Sequence, residues 1–586
     1  MAKRVAVLGG GVAGMSVAHE LIERGIVVDV YDRHHLYVGG KARSVEVHET
    51  NQIHSGKYLP GEHGFRFFPG FYRHVTDTMS RIPFRRVDGS MGTVLENLTP
   101  TNRVLVARTG RQSLTAIVNF PSSLDDLRVL FSDLTADTGL TDEEMRFFTE
   151  RVWQLMTSCR ERRADEYERI SWWDFLQADR FSDSYRALLV QGLTRTLVAA
   201  NAHSASTKTG GNIFLQLIFN MTSPGVHTDR VLNGPTNDVW LAPWREYLEQ
   251  RGVQFHLGHT VEQLMVGNGK LSSVTVRDNS GELHDVQADM YVLAVPVERA
   301  ARLITKDLIA LDSNLEGIVR LAPSVAWMNG VQYYLNVDRP IVHGHTIYSD
   351  SPWALTSISQ LQFWPGYDIE ERGNGRVRSI LSVDVSGWDS PGSNGKIARE
   401  CSHEEIRVEV WKQLCDALNV DGNVVLSDEM IEFWHIDGDI KAEPHDREMN
   451  EEPLLVNTVR SWDNRPEAYT AIGNLFLASD YVRTNTDLAT MEAANEAARR
   501  AVNAILESVG SSDMRCEVWD VHEPITLAAL RAIDKRRYDM GLPWREPMHW
   551  LVEAGLSILQ FIRHRFGRAT SQRAASDAHI SPRGLP

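Results

Sequence analysis

Arg4-Val5-Ala6-Val7-Leu8-Gly9-Gly10-Gly11-Val12-Ala13-Gly14 is the stretch that decides the fold of this chain. A short apolar strand runs into a Gly-x-Gly-x-x-Gly turn, Met15–Arg24 continues with helical spacing, and a second apolar run follows at Val27–Tyr31. Strand, glycine turn, helix and strand in that order form a unit that binds dinucleotides. Gly9 permits the tight turn, Gly11 lets the backbone approach a pyrophosphate, and Gly14 lets the helix pack closely on the strand. Val12 and Ala13 begin the helix, whose positive end faces the phosphate charge. Asp32, with Arg33 beside it, ends the second strand eighteen residues after Gly14, where a carboxylate can bind ribose hydroxyls.

A second cluster, Gly39-Gly40-Lys41-Ala42-Arg43-Ser44, follows soon after that acid. Two glycines and an arginine make a second diphosphate contact there. A nicotinamide dinucleotide needs no such contact, whereas extended FAD passes that point on its way to the flavin. The expected cofactor is therefore FAD, held by Gly39, Gly40, Lys41, Ala42 and Arg43 as well as by the first turn.

Helical periodicity dominates from about Leu114 to Asn220, as at Leu124–Leu134, Glu143–Leu155, Trp173–Leu176 and Arg186–Val198. Strand signals return at Val253–Leu257, Ser273–Arg277 and Met290–Ala294, then in β-rich stretches at Ser324–Val337 and Arg376–Val385. A last strand and helix fall at Asn474–Ala478 and Leu488–Leu506. The expected class is α/β, with a discontinuous Rossmann-like FAD-binding domain of the glutathione-reductase type over 1–113, 226–316 and 456–510. A substrate domain combines a helical insertion at 114–225 with a mixed β-sheet region at 317–455, and 511–586 forms a helical tail.

With 586 residues, 42% hydrophobic and 24% charged, the chain can bury two or three cores. Its net charge of −16 argues against a phosphate-backbone partner, so no nucleic acid is expected. Cys159, Cys401, Cys415 and Cys516 are scattered without zinc-ligand spacing. No metal is expected, and a reducing cytoplasm suits the thiols. The chain passes from Met1-Ala2-Lys3 directly into a strand, and no window holds the roughly 18 uninterrupted apolar residues of a spanning helix. The expected location is cytoplasmic, with a peripheral place on the inner face of a membrane as the variant.

The motifs resemble the flavin amine oxidase and carotenoid-desaturase superfamily. Asn474-Leu475-Phe476-Leu477-Ala478-Ser479-Asp480 is similar to the family's closing strand, and Leu488-Ala489-Thr490-Met491-Glu492 to the helix after it. The resemblance implies that Asp480 binds the ribityl–phosphate part of FAD and that Thr490 and Met491 lie at the flavin pyrimidine, where helix amides stabilise reduced flavin. It also implies that Val261, in His259-Thr260-Val261, lies beside adenine. Within the superfamily, the plant and cyanobacterial phytoene and ζ-carotene desaturases, with squalene-pathway relatives, match best: Arg465-Pro466 before the closing strand, the Leu-Ala-Thr-Met-Glu run, and Gly61-Glu62-His63-Gly64-Phe65-Arg66-Phe67-Phe68. Ser479 in place of the usual glycine and the polar Glu62–Arg66 segment depart from that branch.

The implied activity is dehydrogenation of a hydrophobic, isoprenoid-like molecule by hydride transfer to flavin N5, with a quinone or oxygen as electron acceptor. Phe65 and Arg66 are expected against the cofactor, and Glu62, His63 and Arg66 are the candidate catalytic groups for stabilising charge beside the flavin. Alternatives are a flavin amine oxidase, an isoprenoid-isomerising or dehydroxylating flavoenzyme, and a lipid-escort protein without redox chemistry. The aromatic cage of an amine oxidase has a tyrosine where this chain has Thr490, and Trp462 supplies at most one wall. Trp550–Arg568 reads as an amphipathic helix suited to a membrane surface.

Overall fold

The computed structural model describes residues 3–52, 57–86, 88–119, 138–192, 201–223, 225–441 and 450–546. Five parallel strands form the cofactor sheet, in the order Gln254–Leu257, Val27–Asp32, Arg4–Leu8, Met290–Leu293 and Leu475–Leu477. Strands from the beginning, middle and end of the chain thus lie side by side, as the discontinuous sequence pattern requires. The central members, Val5–Leu8 and Tyr291–Leu293, are almost wholly buried, which is why they read as continuous apolar runs. The helices Val12–Ile22 and Met491–Ser508 pack together in the same core, where Ala497, Ala498 and Ala501 keep the contact close.

A second, seven-stranded sheet runs Ile431–Ile436, Asn329–Leu335, Ser379–Val385, Leu355–Ser359, Gly344–Tyr348, Arg103–Arg108 and Arg111–Ile117. All its pairings are antiparallel except that of Gly344–Tyr348 with Arg103–Arg108. The hairpin 103–117, most of which the sequence pattern groups with the cofactor domain, is therefore part of this second sheet. The helix His403–Leu418 covers one face, and its Ile406, Val410 and Leu414 join Val331, Tyr333 and Val383 in a separate core.

The helical layer includes Asp142–Thr157, whose start is fixed by a reciprocal cap between Thr141 and Glu144, and Thr207–Met221, capped by Ser206. Helix Ala528–Asp539 of the tail docks on it through Asp534, which accepts from Arg162 Nε at 3.0 Å and from the Cys159 amide at 2.8 Å. No helix of the described residues is long and apolar enough to cross a membrane. The candidate membrane helix Trp550–Arg568 and the helix expected at Leu124–Leu134 lie outside the described residues.

Candidate active site

The two glycine turns meet. Gly39 donates its amide to Gly10 O at 2.8 Å, and Gly11 and Gly39 form a parallel bridge. Gly9 has φ +113°, and a Cβ on it would come 2.7 Å from Ala294 O; a Cβ on Gly14 would come 1.8 Å from Gly9 O. Those two glycines serve the turn and the close helix contact. Gly11 differs, because a Cβ there would find only Gly40 Cα, at 3.9 Å. Its exposed side borders a cavity of about 770 Å³.

Gly9, Gly11, Val12, Ala13, Asp32, Arg33, Gly39, Gly40, Lys41 and Ala42 line this cavity, with Val261. Phe65, Arg66, Asp480, Thr490 and Met491 line it as well. Asp32 is buried, and its carboxylate accepts the Gly10 amide at 2.6 Å and the His34 amide at 2.8 Å; burial pushes its carboxyl upward. The first turn of helix Met491–Ser508 is organised by Thr490, whose hydroxyl accepts from the Ala493 amide. These groups fit a dinucleotide: a cradle without side chains, an uncapped helix start at Gly11, and a second helix start at Thr490 in the same cavity wall.

Sequence reasoning missed Arg299 and Arg302, which also line the cavity from helix Val297–Leu303. Burial, and then the charges of Arg33 and Arg302, lower Arg299, as in a cluster of guanidiniums gathered around an anion. Two arginines three apart, just beyond a strand of the cofactor sheet, were the available signal.

Four expected residues stand elsewhere. Gly14 lies behind the turn. Arg43 is buried, paired with Asp439 at 2.9 Å and Glu452 at 3.3 Å, and donates to Gly40 O at 2.9 Å. It supports the second turn from behind and is not among the cavity-lining residues. Glu62 and His63, expected beside the flavin, are likewise held behind the wall by other partners. The Glu62 carboxylate accepts the Thr236 amide at 3.0 Å and the Thr236 hydroxyl at 2.9 Å, and His63 Nδ1 lies 2.6 Å from Asp437. Both are buried and absent from the main cavity wall, leaving Arg66 as the member of the trio that lines it.

The cavity wall also holds Asp229, His345 and Asp384, none of which the sequence pattern singles out. Burial raises Asp384 to about 7, against the pull of Arg66, His63 and His345. Burial likewise raises Glu62 to about 7, opposed by Arg66. For His63, burial works against the imidazolium, but Asp437 and Asp439 outweigh it and hold the ring up to about 9.

All three groups are raised above their ordinary values of 4.5 for Glu62, 3.8 for Asp384 and 6.5 for His63, so folding favours their protonated forms. The stability contributed by the two acids is complete below about pH 4 and drains away as pH rises to 7; that of His63 is complete below 6.5 and drains away up to 9. Glu62→Gln should therefore flatten the loss of stability between pH 4.5 and 7, measured by urea unfolding at several pH values. An unchanged slope in the variant contradicts the assignment.

Residues 12–506 match the model of the family described as flavin containing amine oxidoreductase. The zeta-carotene desaturase of Synechocystis sp. is 24% identical over 325 residues, covering 52% of this chain and 60% of that protein. The chloroplastic/chromoplastic zeta-carotene desaturase of Arabidopsis thaliana is 24% identical over 343 residues, covering 52% of each. The chain thus spans only about half to three-fifths of the length of these curated relatives. Among solved structures, putrescine oxidase aligns with a TM-score of 0.56 at 13% identity over 86% of this chain and 99% of the other. Cyclohexylamine oxidase from Brevibacterium oxydans aligns with a TM-score of 0.56 at 13% identity, over 87% and 100%. At such identities the likeness to the solved structures is one of fold. With the family match reaching from the first glycine turn to the last helix, this chain belongs to the flavin-containing amine oxidoreductase family and is an FAD-dependent oxidoreductase.

Proposed function

We propose that the enzyme dehydrogenates a hydrophobic, isoprenoid-like molecule, introducing a carbon–carbon double bond. The observation that carries this reading is the apolar arm of the cavity. Phe214, Leu217, Ile218 and Met221 of helix Thr207–Met221 line it at i, i+3, i+4 and i+7, together with Val104 and Ile347 of the second sheet and Val118 just beyond it. A chain without polar groups can be desolvated in such an arm at about 25 cal/mol per Å². FAD supplies the two-electron acceptor when bound; the protein orients the chain and excludes water. Gly11, Gly40 and Lys41 would hold the diphosphate, Asp480 the ribityl region, and the amides following Thr490 the flavin pyrimidine. Trp462 does not frame this space: Lys208 Nζ lies 3.2 Å from its ring centroid, and Lys208 is paired with Asp487.

A second reading, amine oxidation, draws on Asp229 and Asp384, carboxylates in the cavity wall that suit an ammonium group. Anaerobic mixing separates the two. The long-wavelength flavin band should bleach with squalene or a phytoene-type polyene and stay unchanged with short primary amines. Bleaching by the amines alone reverses the order. The electron acceptor is proposed to be a quinone or oxygen, distinguished by which of them reoxidises the bleached enzyme.

A further inference from the structure

His345 stands on strand Gly344–Tyr348, in register with Ile358 and Val104 of its neighbours, and lines the cavity. Its ring is held on several sides. Phe65 and Phe67 pack on it with centroids 5.0 and 5.5 Å away, and Nδ1 lies 2.6 Å from Asp229 Oδ2. The same Oδ2 accepts the Thr101 hydroxyl at 2.7 Å, while the Thr101 amide donates to Asp229 O at 3.0 Å. The carboxylate is thereby fixed before it fixes the imidazole. An ionised carboxylate only accepts, so the ring carries its proton on Nδ1 and its lone pair on Nε2.

Nε2 has no partner among the described residues and is buried, as are Asp229 Oδ1, Asp384 Oδ1 and Arg66 Nε. All four residues line this one cavity. A buried polar atom without a partner costs about 1–3 kcal/mol, so four in one wall mark a place that a ligand or its reacting atoms complete. The arrangement of carboxylate, oriented imidazole and unpartnered nitrogen is that of a positioned general base.

We propose that His345, oriented by Asp229, is the proton acceptor of the reaction. The inference rests on the dehydrogenation reading above. With FAD bound, a C–H bond on one of two singly bonded carbons would break, its electron pair leaving as hydride to the cofactor. The C–H bond of the adjacent carbon gives its proton to His345 Nε2, and the electron pair left behind becomes the new π bond. The substrate is oxidised by two electrons, the flavin is reduced by two, and the second hydrogen rests on the imidazolium, whose charge Asp229 balances. Asp384, two strands away in the same sheet, and Arg66, on the loop that carries Phe65 and Phe67, are the other charged groups around this end of the cavity. Asp229 is a positioning residue.

The test compares the FAD-loaded wild type with His345→Gln and Asp229→Asn. His345→Gln should slow substrate-driven flavin reduction by about 10²–10⁴-fold and abolish the rise of that rate with pH. FAD content, thermal midpoint and reduction by dithionite should stay as in the wild type. Asp229→Asn should slow the reaction less, since the ring remains. A readout independent of turnover is ¹⁵N-histidine NMR, with His345→Gln assigning the resonance. The wild-type ring should be the Nδ1–H tautomer and should lose that preference in Asp229→Asn. A His345→Gln rate within about threefold of wild type with the same pH profile, or an Nε2–H tautomer in the wild type, overturns the proposal. If polyenes leave the flavin oxidised and a long-chain amine bleaches it, the dehydrogenation reading fails, and the same comparison made with the amine decides for or against His345.

Discussion

Gly11→Leu should yield a folded, colourless protein. Gly11 has φ −71°, a backbone conformation open to leucine, and among the described residues outside its own turn and helix backbone the one atom within 4 Å of a Cβ built on it is Gly40 Cα. The added side chain therefore pushes nothing aside; it projects between the two glycine turns into the cavity where the diphosphate has to approach the backbone. Flavin content should fall below about a tenth of the wild type while the thermal midpoint of the apoprotein is retained, because the loss is one of access and not of fold. Gly14→Leu is the contrasting case, since its Cβ would sit 1.8 Å from Gly9 O and the turn itself must break. Asp480→Ala should also lower flavin retention, having removed a carboxylate from the cavity wall. Absorbance of the purified proteins, read beside their melting curves, checks all three. Stoichiometric flavin in Gly11→Leu would overturn the placement of the diphosphate.

The first turn, the strand end at Asp32 and the helix opening at Leu488–Glu492 were legible because each is a local device. Their meaning is carried by residues a few positions apart, and the parallel sheet then aligns them. What could not be read depends on contacts between distant segments. The hairpin 103–117 looks like more of the cofactor domain until its parallel partner Gly344–Tyr348 is known, over two hundred residues further on. Arg43 follows two glycines as an anion-binding arginine would, yet Asp439 and Glu452, each about four hundred residues away in sequence, claim its guanidinium. Glu62 and His63 were chosen as polar residues in an unusually polar segment. Thr236 and Asp437 take them as buried structural partners, and of the three polar residues Glu62, His63 and Arg66 it is Arg66 that lines the cavity. His345 and Asp229 were passed over for the same reason. They lie 116 residues apart, and no spacing announces that a strand and a loop will bring them within 2.6 Å.

Glu492→Ala should be the most destabilising single truncation in the cofactor domain. The second residue of helix Met491–Ser508, Glu492 is buried, and its carboxylate accepts the amides of Arg73, His74 and Val75 at 2.7, 2.8 and 3.0 Å. Helix His74–Arg81 begins there with no side-chain cap of its own, so Glu492 satisfies the amides that its first turn leaves open. The His74 ring completes the link: Nε2 accepts the Trp519 amide at 2.9 Å, which leaves Nδ1 as the donor to Glu492, 2.7 Å away. One carboxylate thus ties the flavin-facing helix to helix His74–Arg81 and to the C-terminal segment that crosses behind it. Removing it strands three amides and a ring N–H in the core, a change on the scale of breaking a buried ion pair, about 3–5 kcal/mol. Glu492→Gln should fall between, since it keeps one accepting oxygen and turns an amide toward the remaining donors. Urea unfolding followed by tryptophan fluorescence measures both. The Trp519 contact to the His74 ring, at 5.1 Å between centroids, should loosen first. A Glu492→Ala protein within about 1 kcal/mol of wild type, still retaining flavin, would show that the three segments are held together by the packing of their apolar faces and not through this carboxylate.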